Sequence, residues 1–200
     1  MNRYFRSAPL LSFALMAGIL MTATGNPAAA QHYSKKTVPA VLNFTMQNID
    51  GKSVSLSKYR GKVILMVNVA SLCGNTPQYT ALEALYERYR PKGLVVLGFP
   101  ANDFMHQEPG TDKEIKSFCT SKYKITFPMF SKIVVKGDGQ APLYQFLTDK
   151  QTDPLYGGDI DWNFAKFLIN RKGEIIGRFP ARTDPQKPEV ISAIEKALAG

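Results

Sequence analysis

The amino-acid sequence predicts an α/β domain, with a mixed central sheet flanked by helices on both faces and preceded by a small β-hairpin. Three observations carry this expectation. Residues 63–69 and 94–99 are apolar almost without interruption, as strands covered on both faces must be. Segments with apolar residues at three- and four-residue intervals follow each of them, the period of a helix with one buried stripe. The chain then closes with two short apolar runs about a tight turn and a final amphipathic segment, which adds antiparallel strands and a further helix.

The elements follow in order. Residues 1–30 read as an address rather than as structure: Arg3 and Arg6 form a basic start, and residues 10–21 form an apolar run of twelve. That run falls short of the roughly 20 residues needed to cross a bilayer. Ala28, Ala29 and Ala30 supply the small residues a signal peptidase reads, so cleavage is expected after Ala30 and the protein is expected in the periplasm. Residues 31–39 read as a flexible lead-in and 40–200 as the folded domain. Residues 44–46 and 54–56 alternate apolar with polar on either side of Asp50-Gly51, which predicts the hairpin.

Residues 63–69 are then the sheet centre. Residues 77–90 set Tyr79, Leu82, Leu85 and Tyr89 on one helical face, with Thr76 as the expected N-cap and Pro77 in the first turn. After the strand at 94–99, Thr111 and Glu114 spell a capping box, and Ile115, Phe118 and Cys119 share one face of the helix behind it. Residues 142–147 predict a short helix, 167–169 and 175–179 a second hairpin about Arg171-Lys-Gly173, and 188–198 the closing helix. This layering resembles that of a thioredoxin-like domain.

Composition narrows the function classes. The chain has 200 residues, 44% hydrophobic and 20% charged, which suits one domain with a sizeable core rather than a disordered or disulfide-dense chain. Its 25 Lys and Arg against 16 Asp and Glu give a net charge of +9, falling to +7 once Arg3 and Arg6 leave with the signal. The basic residues are scattered and do not interleave with aromatics, so no nucleic-acid groove is expected. They read as a solvated surface, with peripheral contact to an anionic envelope as the lesser reading. Two cysteines, Cys73 and Cys119, and two histidines, His32 and His106, fall short of the usual zinc sets, so neither a metal nor another cofactor is expected. In an oxidising compartment the plain reading of two cysteines is a structural disulfide.

The surroundings of Cys73 argue for more. It follows the central strand and precedes a helix, where N–H groups and the positive end of the helix dipole favour a thiolate. Thr76 stands where a dithiol oxidoreductase carries the second cysteine of C-x-x-C, so exchange within one motif is not available. A lone thiolate in such a place suits attack on an external electrophile, and attack on a peroxide O–O bond yields a sulfenic acid.

Several ordered motifs then sharpen the reading: Val67-Asn-Val-Ala-Ser-Leu-Cys73-Gly-Asn-Thr76, Phe99-Pro-Ala-Asn-Asp-Phe104, Gln107-Glu-Pro-Gly110, Phe127-Pro-Met-Phe130 and Trp162-Asn-Phe-Ala-Lys-Phe-Leu168. Together, over residues 38–199, they resemble the glutathione peroxidase family in its cysteine form. The resemblance implies a thioredoxin-like fold, reduction of hydrogen peroxide and of organic or lipid hydroperoxides, and a catalytic tetrad of Cys73, Gln107, Trp162 and Asn163. Those residue types suit the role, because the Trp162 indole and the amides of Gln107 and Asn163 can aim N–H groups at sulfur or a leaving oxygen. Their bland readings are a core aromatic, a loop amide and a turn residue.

Cys119 falls where thioredoxin-dependent members keep a resolving cysteine, which implies a thioredoxin-like dithiol protein as reductant and leaves glutathione or another small thiol as the alternative. The short stretch between Leu147 and Trp162 resembles the compact monomeric members with open sites. Three departures stand out. The family pattern Phe-Pro-Cys-Asn-Gln-Phe-Gly reads here as Phe99 to Met105, with Ala101, Asp103 and Met105 replacing Cys, Gln and Gly. Asp103 is expected to oppose a nearby thiolate and Met105 to restrict the backbone, whereas His106 reads as a surface loop residue. The competing functions are a peroxide-sensing thiol relay and a non-catalytic envelope protein stapled by a Cys73–Cys119 disulfide.

Overall fold

A computed structural model of the chain describes residues 39–200. The expected signal segment, its cleavage after Ala30 and the lead-in before Pro39 lie outside the described residues. Two short strands, β1 (Thr45–Gln47) and β2 (Ser53–Ser55), form the expected hairpin as a separate two-stranded sheet with Met46 opposite Val54. Asn48 shapes its turn, its Oδ1 accepting N–H groups from Asp50 at 3.1 Å and Lys52 at 2.7 Å. Gly51 supplies the positive φ of +73° that the turn requires.

The main sheet contains β3 (Val63–Val69), β4 (Leu94–Pro100), β5 (Lys166–Ile169) and β6 (Ile175–Phe179), in the order β4-β3-β5-β6. β3 pairs parallel with β4 and antiparallel with β5, which pairs antiparallel with β6, so the sheet is mixed as expected. All seven residues of β3 and all seven of β4 are buried. Each large aliphatic side chain so buried contributes about 1.5–3 kcal/mol, which makes this parallel pair the anchor of the sheet.

The alternation of a strand divides these side chains between two cores. Val63, Leu65, Val67 and Val69 face α1 (Gln78–Tyr89), α4 (Pro188–Ala199), and Ile115 and Cys119 of α2 (Asp112–Tyr123). Ile64, Met66, Leu97 and Phe99 face Leu143, Tyr144 and Leu147 of α3 (Pro142–Thr148), with Val41 and Leu56 completing that side. The sheet therefore has helices on both faces. The capping box of α2 forms as the sequence predicts, Thr111 and Glu114 exchanging side-chain and backbone bonds.

One expected end is different. α1 begins at Gln78 with Pro77 as its N-cap, and Thr76 caps nothing in the helix. Residues 73–79 instead run as successive turns, with the N–H groups of Thr76, Gln78 and Tyr79 donating to the carbonyls of Cys73, Asn75 and Thr76. The Thr76 hydroxyl is drawn back into this run. It accepts the Cys73 N–H at 3.0 Å and donates to the Ala70 carbonyl at 2.8 Å. Four residues therefore separate Cys73 from α1, and turn amides rather than the first turn of the helix surround it.

Candidate active site

Three loops at one end of the sheet meet around Cys73. The first leaves β3 and carries Cys73, whose side chain is 7% exposed and whose Sγ accepts the Asn75 N–H at 3.3 Å. The N–H donor expected from the helix N-terminus comes instead from the turn, because α1 starts only at Gln78.

The second loop follows β4 and is closed on itself by Asn102, whose Oδ1 accepts the Glu108 N–H at 2.8 Å and whose Nδ2 lies 3.4 Å from Nδ1 of the exposed His106. Met105 and His106 both adopt left-handed backbone, with φ of +51° and +53°. Such residues cost about 1–3 kcal/mol each and persist where surrounding bonds hold them. Met105, where the family pattern has glycine, thus occupies the conformation in which glycine is at ease. The loop presents Gln107, whose carbonyl accepts the Leu72 N–H at 3.0 Å and so ties this loop to that of Cys73. The carboxylate of Asp103 accepts the Val135 N–H at 2.6 Å.

The third loop enters β5 and carries Trp162 and Asn163. Asn68, buried in β3, clamps it from both sides of Asn163: its Nδ2 donates to the Trp162 carbonyl at 3.1 Å, and its carbonyl accepts the Phe164 N–H at 2.6 Å. Phe164 has a φ of +74°, a strained value that this clamp holds. Asn163 is fully buried; its Nδ2 donates to Gln107 Oε1 at 3.1 Å and its carbonyl accepts Asn75 Nδ2 at 3.2 Å. Asn75 thereby touches both the Cys73 sulfur and the Asn163 backbone.

Trp162 is half-buried against Phe104, with ring centroids 5.6 Å apart. It lines a cleft of about 680 Å³ with Gly74, Asn75, Asp161, Ala181 and Arg182. Lys166, next on β5, is buried behind this wall and donates to Gln78 Oε1 at 2.6 Å, the Thr183 carbonyl at 2.6 Å and the Ala181 carbonyl at 3.3 Å. Burial pulls its ammonium down to about 7, opposed by Asp184. Three acceptors matched to three N–H donors oppose that pull as well.

The structure therefore brings Cys73, Gln107 and Asn163 into one hydrogen-bonded group and sets Trp162 along the adjoining cleft. Cys119 stands apart from that group. It is buried in α2, both cysteines are free thiols, and no hydrogen bond joins them. Burial pushes the Cys119 thiol up to about 11; the Tyr79 hydroxyl beside it lowers it somewhat and the Glu108 carboxylate raises it. Three residues at the site had no role in the sequence reading: Asn68, Asn75 and Glu108. Asn68 had a visible signal, a polar side chain in the middle of an apolar strand, whereas Asn75 and Glu108 were hidden inside motifs as ordinary loop residues.

A thioredoxin-like sheet with a buried thiol that accepts a turn N–H on the loop after its central strand is the architecture of a thiol-dependent oxidoreductase. The glutathione peroxidase family profile matches residues 41–148. The chain is 45% identical over 179 residues to Thioredoxin/glutathione peroxidase BtuE of Escherichia coli strain K12, covering 80% of this chain and 98% of that one. It is also 45% identical over 163 residues to Hydroperoxy fatty acid reductase gpx1 of Synechocystis, covering 79% and 95% of the two chains. Among solved structures, the crystal structure of Trgpx in apo form superposes with a TM-score of 0.65 at 36% identity, covering 82% of this chain and 98% of that one. This protein belongs to the glutathione peroxidase family and is a peroxidase of that family.

Proposed function

We propose that the protein is an exported thiol peroxidase in which Cys73 is the nucleophile, Gln107, Trp162 and Asn163 assist it, and Cys119 resolves the intermediate. The observation that carries this reading is the Cys73 sulfur held against the Asn75 N–H, with Asn75, Asn163 and Gln107 joined in one bonded group beside it. The thiolate attacks one oxygen of a hydroperoxide, the O–O bond breaks, and the alcohol or water leaves with a proton while Cys73 becomes a sulfenic acid. N–H donors at the site support the charge that develops on the leaving oxygen. Cys119 then displaces hydroxide from the sulfenic sulfur, and a dithiol reduces the resulting disulfide.

Hydrogen peroxide and organic or lipid hydroperoxides are the substrate class. The Synechocystis relative is named as a hydroperoxy fatty acid reductase, and Leu72 and Met105, both exposed, offer apolar surface on the loops that carry Cys73 and Gln107. A thioredoxin-like dithiol protein is the reductant, with glutathione as the lesser alternative, in keeping with the name of the Escherichia coli relative. The basic start, short apolar run and alanine triplet of residues 1–30 support export to the periplasm, where the protein acts as a monomer.

Two variants test the scheme. Cys73→Ser should lose peroxidase turnover while its circular dichroism stays native; retained activity would move the nucleophile elsewhere. Cys119→Ser should consume one equivalent of peroxide and then stall with thioredoxin as reductant. Unchanged turnover of that variant would leave a one-cysteine cycle. The mass of the protein recovered from the periplasm should correspond to a chain starting at Gln31, and a full-length mass would refute the cleavage site.

A further inference from the structure

Glu108 follows Gln107 on the loop after β4 and is 1% exposed, with its Oε2 lacking any hydrogen-bond partner. A buried carboxyl oxygen without a partner is costly, so its retention calls for a reason. The groups facing it come from every side. Ser71 of the Cys73 loop lines the same gap as Glu108, Lys132 acts from the segment after α2, and the charge of Glu108 is felt by Tyr79 of α1 and by the Cys119 thiol of α2. Exposed Glu114 of α2 shares the adjoining gap of about 180 Å³, which is lined by Ser71, Leu72, Glu108, Ile115 and Phe118 and so lies between the Cys73 loop and α2.

We propose that Glu108 is the proton acceptor for Cys119 when that thiol attacks the Cys73 sulfenic acid, a role that rests on the two-cysteine cycle above. The resolving thiol must give up a proton to attack; within the closed helix burial pushes it up to about 11, so it arrives protonated and needs an acceptor beside the Cys73 loop. Burial likewise pushes the Glu108 carboxyl up to about 7, against the opposing pulls of Ser71 and Lys132. A base of that strength is ionised often enough to accept a proton at neutral pH and basic enough to hold it.

Tethering places the base where the reaction occurs. The neighbouring Gln107 carbonyl is bonded to Leu72, next to Cys73, and Lys132 Nζ binds the carbonyls of Glu108, Pro109 and Gly110 at 3.1, 3.4 and 2.7 Å. Cys119, by contrast, lies in the second half of α2, where its carbonyl accepts the end-capping N–H groups of Lys124 and Ile125. Opening that end frees Cys119 to approach, while Glu108 remains with the Cys73 loop. The step then balances: Cys119 loses its proton to Glu108, the S–S bond forms as the S–O bond of Cys73 breaks, and the departing hydroxide recovers that proton as water.

The test is stopped-flow measurement of disulfide formation after one equivalent of hydrogen peroxide, from pH 5.5 to 9, in the reduced full-length protein. The wild type should show resolution accelerating through an inflection near pH 7. Glu108→Gln should lose that inflection and resolve at least tenfold more slowly at pH 7.5. Amide exchange of α2 at pH 7.5 separates chemistry from helix opening. A slowing that exceeds any change in opening supports the proposal, and one that merely follows opening overturns it. Absence of an inflection in the wild type overturns it as well, even if the variant fails to fold. Cys119→Ser keeps the two readings distinct: full thioredoxin-dependent turnover there refutes the two-cysteine cycle itself, whereas a stalled Cys119→Ser with an unaltered Glu108→Gln refutes only the role of Glu108.

Discussion

Replacing Thr76 by Val probes the turn that holds Cys73 while barely changing side-chain volume. Thr76 is 4% exposed, and its hydroxyl joins the Cys73 N–H at 3.0 Å to the Ala70 carbonyl at 2.8 Å. Valine leaves that donor and that acceptor buried without partners. Each such group costs about 1–3 kcal/mol, so with partial relaxation the variant should lose about 2–4 kcal/mol of stability. For a domain of this size that corresponds to a fall in Tm of roughly 5–15 °C. Thr76→Ser keeps the hydroxyl and removes one methyl, and should lose only about 1 kcal/mol. Urea denaturation of the three proteins measures the difference, and single-turnover reaction with peroxide well below the Tm measures the local effect. The valine variant should react more slowly, because the turn that presents Cys73 and aims the Asn75 N–H is loosened. Equal stability and reactivity of the Val and Ser variants would refute the argument that the hydroxyl anchors the nucleophile.

Two further outcomes are expected. Glu108 binds its proton more tightly in the folded protein, at about 7, than at its ordinary value of 4.5. Its contribution is therefore most favourable below pH 4.5, weakens as pH rises from 4.5 to 7, and is lowest above pH 7, where the penalty reaches about 3 kcal/mol. Glu108→Gln should remove that slope and exceed the wild type in stability at pH 8, as a pH series of urea melts would show. Asn68→Val should cost about 1–2 kcal/mol through the lost bond to the Trp162 carbonyl and lower kcat/KM for peroxide by about tenfold. Native kinetics in that variant would mean that the Asn68 side chain does not position the Trp162–Asn163 loop.

Among the described residues, three of the four non-glycine residues with left-handed backbone lie in the loops around Cys73. Met105, His106 and Phe164 carry left-handed backbone, and each belongs to a loop that presents Gln107, Trp162 or Asn163. β3 and β4 beneath are buried throughout, which allows rigid cores to hold loops that would not keep these shapes alone.

The sequence by itself determined the features written in short-range patterns. The apolar strands at 63–69 and 94–99, the Thr111–Glu114 capping box, the Asp50-Gly51 turn and the helical spacing of Tyr79, Leu82, Leu85 and Tyr89 all depend on neighbours within one turn or one strand. The motifs around Cys73, Gln107 and Trp162 likewise identified the family before any geometry was known. Only the tertiary structure decided where α1 begins, because Pro77 lacks an N–H and the Thr76 hydroxyl has two partners behind it rather than ahead. It alone also paired Asn163 with Gln107 across 56 residues and Asn68 with Trp162 across 94. It alone buried the Glu108 carboxyl at the gap between the Cys73 loop and α2. Local periodicity reports which face of an element is buried, but a hydrogen bond between distant loops exists only after the sheet has brought their ends together, and burial shifts a proton affinity only once the surrounding chain has excluded water.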